Sequence, residues 1–136
     1  MNSKHQLLKI GLVGFALLLS VLACSFNAST ANIQSAKMAR DYDGADPTMV
    51  FDQDDTFYCI VDLANAPDGT TVKASWVAAE VEGVDPDTFI DEAELSTGSG
   101  SVHFDLSNNG LWPVGKYKVD IFLNDKLERT LEFTVQ

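Results

Sequence analysis

Two cysteines and two histidines are all that 136 residues provide of the side chains that most often serve as nucleophile, base or transition-metal ligand. Basic residues are scarce too, nine Lys and Arg against twenty Asp and Glu. So acidic a chain lacks the cations that nucleic-acid phosphates require, and it is ill suited to lying flat on anionic lipid. No Gly-rich phosphate loop and no dinucleotide fingerprint occurs, and no cofactor is expected. Internal repeats are absent. The apolar run at residues 10–22, thirteen residues, would span about 20 Å as a helix, short of the roughly 30 Å hydrocarbon core, which argues against a permanent span.

What is present begins with an address. Lys4 and Lys9 precede the apolar run, and the small residue Ala23 follows it. A basic start, a short apolar core and a small residue at the cut make a secretory signal. The stretch Val21-Leu22-Ala23-Cys24 resembles the lipobox of bacterial lipoproteins. That resemblance implies diacylglycerol attached to the Cys24 thiol, cleavage between Ala23 and Cys24, and acylation of the new amine. A cysteine suits the role because its thiolate is a strong nucleophile, and several acyl chains anchor firmly. The resemblance thus implies a cell-membrane or outer-membrane location facing away from the cytoplasm. Ser25 is not the aspartate that keeps some lipoproteins at the inner membrane.

Cleavage would leave seven basic residues against twenty acidic ones, a net charge of −13. It would also leave Cys59 alone, so no intrachain disulfide is expected and packing must supply the stability. The division expected is a signal peptide at 1–23, a lipidated terminus and tether at 24–46, and one domain at 47–136. The tether is small and polar, with a brief helical turn expected around residues 33–40.

From Pro47 onward, short runs rich in Val, Phe, Tyr, Thr and Ile alternate with turn residues. The alternation predicts strands over residues 48–51, 57–63, 72–81, 89–95, 102–106, 117–123 and 127–135. Ala66-Pro67-Asp68-Gly69 suits a turn, and Asn124-Asp125, both tolerant of positive φ, suits a tight hairpin. Seven such strands predict an all-β, antiparallel sandwich. Trp76 on the third strand, and Leu111-Trp112-Pro113-Val114-Gly115-Lys116-Tyr117 leading into the sixth, resemble the core tryptophan and tyrosine corner of immunoglobulin-like and fibronectin-III-like domains. The departure is the disulfide: Cys59 stands at the second-strand cysteine position, but the partner position is Val119. Such a sandwich implies no function by itself.

Candidate chemistry is thin. Alternation places Cys59 inward and His103 outward, so they do not form a nucleophile–base pair. One His and one Cys on opposite faces cannot make a zinc set. Asp41, Asp43, Asp46, Asp52, Asp54 and Asp55 would interest calcium, but their spacing is not that of an EF-hand, and a solvated acidic linker explains them. A compact sandwich offers little cleft for a glycosidase carboxylate pair.

If Trp76 points inward, Val77, Ala79 and Val81 point outward, and Phe122 on the neighbouring sixth strand joins them in an exposed apolar patch, a feature that often marks contacts. Trp112 is either a sugar-stacking residue or a plug at the sandwich end. The expectation is a non-catalytic, lipid-anchored envelope protein whose sandwich binds another envelope protein. The alternatives are a carbohydrate- or surface-polymer-binding module and a calcium-dependent adhesin domain.

Overall fold

The computed structural model describes residues 30–136. Eight strands run in the order β1 (Asn32–Ala39), β2 (Val50–Phe51), β3 (Phe57–Ala64), β4 (Thr70–Val81), β5 (Thr88–Thr97), β6 (Gly100–Leu106), β7 (Gly115–Leu123) and β8 (Lys126–Val135). They form two sheets, β1-β3-β6 and β2-β8-β7-β4-β5. The seven expected strands are all present. Two features correct the expectation of seven antiparallel strands. β2 pairs in parallel with the end of β8, so the larger sheet is mixed. An eighth strand, β1, lies in the segment read as tether and helical turn, where it pairs antiparallel with β3.

Alternation makes each sheet two-faced. In β3, Phe57, Cys59, Val61 and Leu63 are buried, and in β7 Tyr117, Val119, Ile121 and Leu123 are. Between the sheets an aromatic cluster fills one half of the core. Phe57 stacks on Trp112 at 4.6 Å and meets Phe133 edge-on at 4.8 Å, and Trp76 meets Phe133 edge-on at 6.1 Å. The tyrosine corner is formed: the Tyr117 hydroxyl donates to the Pro113 carbonyl at 2.6 Å. Among the described residues no buried side-chain nitrogen or oxygen lacks a hydrogen-bond partner.

Two turns follow from residue chemistry. Asn124 and Asp125 both adopt positive φ, which closes the β7–β8 hairpin with the twist its strands require. At Gly115 (φ +154°) a Cβ would sit 2.4 Å from the Glu80 carbonyl, so only glycine lets β7 approach β4 there. The same place carries a bulge in β4 between Ala78 and Glu80.

The strands give the sandwich two poles. Thr30 donates its hydroxyl to the Asn65 carbonyl at 2.9 Å, and the β3–β4, β5–β6 and β7–β8 turns lie at that pole with it. The opposite pole gathers the loops of residues 40–49, 52–56, 82–87 and 107–114.

Candidate interaction surface

Ala23 and Cys24, the cleavage and lipidation positions, lie outside the described residues. Val77 and Ala79 are half-buried on the outer face of the larger sheet, as alternation requires. Val81 is not outward. The β4 bulge inserts one residue before it and reverses its phase, so Val81 is buried. Phe122 does face outward but is half-buried beneath the Lys73 ammonium, 4.6 Å from the ring centroid. Charged rows also interrupt the face. Val77 pairs with Lys118, Lys73 with Phe122, and Ser75 with Asp120 between them. A continuous apolar patch from Val77 to Phe122 therefore does not form.

Trp112 is a plug rather than an exposed platform. The residue is 6% exposed, its Nε1 donates to the Asp55 carbonyl at 3.0 Å, and its backbone carbonyl accepts from Gln53 Nε2 at 2.8 Å. Buried against Phe57, it cannot stack on a sugar, and the carbohydrate-contact expectation fails at this residue.

Cys59 and His103 lie on opposite faces, because Cys59 pairs with Phe104 while His103 pairs with Ile60. Burial pushes the Cys59 thiol up to about 12, which holds it protonated and unreactive. The His103 ring stacks on Tyr42 at 4.2 Å, and its Nδ1 lies 2.8 Å from the Tyr42 carbonyl oxygen. Tyr42 arrives on a loop that folds across the outer face of the smaller sheet. Gly44, at φ +72°, packs where a Cβ would strike Lys37 and Ile60, which explains why Ile60 is buried although it points away from the core. On the same face Asp62 accepts from Ser35 (2.7 Å) and from Ser101, tying all three strands together. Those two hydrogen bonds, Ser101 first, hold its carboxyl below the usual aspartate range.

The acidic loop makes local bonds. Asp41 accepts from the backbone N–H of Asp46 (2.8 Å) and then of Ala45 (2.9 Å), which lowers its pKa. Asp52, Asp54 and Asp55 each bring a carboxylate oxygen within 4.8 Å of the others, but the Arg40 guanidinium lies 3.2 Å from Asp55. Arg40 offsets the charge at Asp55, while Asp52 and Asp54 keep exposed carboxylates.

The exposed apolar side chains collect elsewhere, at the pole opposite Thr30. Met49, Val50, Val84, Phe89, Leu111 and Val114 are all exposed there, Leu111 by 65%. Two concavities open beside Met49, Val50 and Val84. One is a shallow groove of about 430 Å³ where Ala79 joins Met49 and Val50. The other is a cleft of about 150 Å³ between β5 and the 107–114 loop, lined by Val81, Val84, Ile90, Asn108, Trp112 and Tyr117 among others and almost wholly apolar. Sequence reading missed this pole because Val84 and Leu111 sit in turns, outside any strand period. Their signal was an apolar residue set among turn-formers, in Gly83-Val84-Asp85-Pro86 and Asn109-Gly110-Leu111.

No family model and no curated protein sequence matches the chain. Solved structures do. An immunoglobulin-like protein from Pseudomonas aeruginosa aligns at a TM-score of 0.54 and 13% identity, covering 81% of this chain and 100% of that one. A DNA-bound alkylpurine DNA glycosylase from Pseudomonas fluorescens aligns at 0.52 and 12% identity, covering 80% of this chain and 31% of that one. A β-glucosidase from Erythrobacter marinus aligns at 0.52 and 11% identity, covering 79% and 15%. The chain thus spans only a minor part of both enzymes. At these identities the shared property is the fold, and the chain is an all-β, immunoglobulin-like sandwich.

Proposed function

We propose that this is a non-catalytic, lipid-anchored cell-envelope protein whose immunoglobulin-like sandwich presents one pole to a protein partner. The anchorage rests on the Val21-Leu22-Ala23-Cys24 motif behind its basic and apolar leader. The observation that carries the binding role is polarity. Among the described residues, six of the nine exposed large apolar side chains lie at the pole opposite Thr30, and three of them, Met49, Val50 and Val84, line two concavities there. Clustered exposed apolar groups mark contact surfaces, whereas scattered ones are ordinary. With the lipid at Cys24, the six residues that follow bring the Thr30 pole within about 20 Å of the bilayer, and the apolar pole points away.

Two measurements test this reading. The intact mass of membrane-recovered protein should begin at Cys24 and include acyl chains, and Cys24→Ser should accumulate as precursor. An unlipidated mass would remove the anchor. A photo-cross-linking residue placed in cells at Leu111 should yield a discrete adduct that the same residue at Leu127, near the Thr30 pole, does not. Equal yields at both positions would remove the polar presentation.

A further inference from the structure

The cleft between β5 and the 107–114 loop combines three properties. Its lining is almost wholly apolar, and its volume of about 150 Å³ is near that of an engineered cavity known to hold benzene. The lining is also rigid. Trp112 is fixed by hydrogen bonds to Asp55 and Gln53, and Tyr117 by its bond to Pro113. A preformed pocket that takes one side chain is the usual seat of an interface anchor.

Its rim is anionic. Glu82, Asp85 and Asp87 flank Val84 in the 82–87 loop at its edge, and the Asp52–Asp55 turn, whose Asp55 carbonyl holds the Trp112 ring, is a second acidic loop at the same pole. Lys118 approaches Asp87 at 3.5 Å and Arg40 approaches Asp55 at 3.2 Å. Among the described residues no lysine or arginine pairs with Glu82, Asp85 or Asp54, all of them exposed. A cationic partner gains from such a rim, whereas a second copy of this acidic chain is repelled by it.

We infer that the cleft receives one aliphatic or aromatic side chain from a cationic segment of a partner protein, with the partner's Lys or Arg on either side facing the acidic loops. The inference rests on the protein-binding reading above and names the chemistry of that partner. The apolar insertion supplies affinity, and the charges steer approach and set register.

The test uses the full chain, as recovered from membranes, in detergent micelles, and two peptide probes, Lys-Arg-Leu-Lys-Arg and Lys-Arg-Ala-Lys-Arg, each capped at both ends. Binding is read from the resonances of the Val84 and Ile90 methyls and the Trp112 indole N–H. The leucine peptide should shift all three and bind about tenfold or more tightly than the alanine peptide, since one buried aliphatic side chain separates them. Its affinity should fall as salt rises. Val84→Asp adds a negative charge while making the cleft polar, so the inference expects weaker binding of the leucine peptide. Tighter binding to that variant, equal binding of the two peptides, or shifts confined to other surfaces would overturn it. The peptide comparison needs no variant, so it stands even if Val84→Asp fails to fold. It also reads the cleft whether or not Cys24 carries lipid, so it fails separately from the anchorage.

Discussion

Tyr117 and Trp112 use their polar atoms to hold the loop that closes the core, and their loss should differ in size. Tyr117→Phe removes one hydrogen bond to the Pro113 carbonyl and should lower unfolding free energy by about 1 kcal/mol in urea titration. Trp112→Ala empties a buried ring site against Phe57 and should lower it by roughly 3–5 kcal/mol. A loss below about 1 kcal/mol at Trp112 would mean that the ring does not plug the core. Cys59 is a third residue-scale case. Burial raises its thiol to about 12, so at about pH 8 the buried thiol is both hidden and protonated. Alkylation of Cys59 should therefore track global unfolding and be negligible in native protein. Rapid labelling without denaturant would place the thiol at the surface.

The element that sequence reading mistook, β1, gives the sharpest contrast between tether and strand. Met38 is buried to 1% exposure, so Met38→Ala should cost roughly 2–5 kcal/mol, where a tether residue would cost nothing measurable. β1 was hidden because its pairing with β3 slips between Ile33 and Ser35, so the buried positions Ile33, Met38 and Ala39 do not follow a period of two. The same kind of defect misdirected Val81, one residue past the β4 bulge. Unbroken alternation, by contrast, made β7 readable directly, and Asn124-Asp125 marked its hairpin. The candidate site was largely illegible, since turn residues brought together by four separate loops leave no local pattern. The smaller sheet's outer face adds a pH dependence. Ser101 and Ser35 hold the Asp62 carboxyl below its ordinary value of 3.8, so its stabilising contribution is present above that value and is lost as pH falls through the lowered one. Thermal melts should show wild type more stable than Asp62→Asn near neutrality, the difference shrinking towards zero below about pH 4. A constant difference across that range would mean that the charge at Asp62 does not stabilise the fold.

At the scale of the whole molecule, charge and the proposed anchorage argue for one orientation. Nine of the twenty acidic residues, the six aspartates of residues 41–55 with Glu82, Asp85 and Asp87, sit in loops at the pole opposite Thr30. A bilayer surface rich in anionic lipid repels that pole, and a lipid on Cys24, as proposed, would tether the Thr30 pole within reach of the membrane. β4 spans twelve residues, so the poles stand about 40 Å apart. A sandwich lying flat would bring both poles to similar depth, but one standing on its Thr30 pole would not. Fluorophores on single cysteines at Asp68, in the β3–β4 turn, and at Val84, beside the apolar cleft, separate the two arrangements, because buried Cys59 stays unlabelled. In vesicles containing headgroup quenchers the Asp68 probe should be strongly quenched and the Val84 probe scarcely at all. The contrast should weaken as salt screens the repulsion over a Debye length of about 10 Å at 0.1 M. Equal quenching at both positions in low salt would lay the sandwich on the membrane and bring its acidic, apolar-rimmed pole down to the lipid surface, away from any partner approaching from outside.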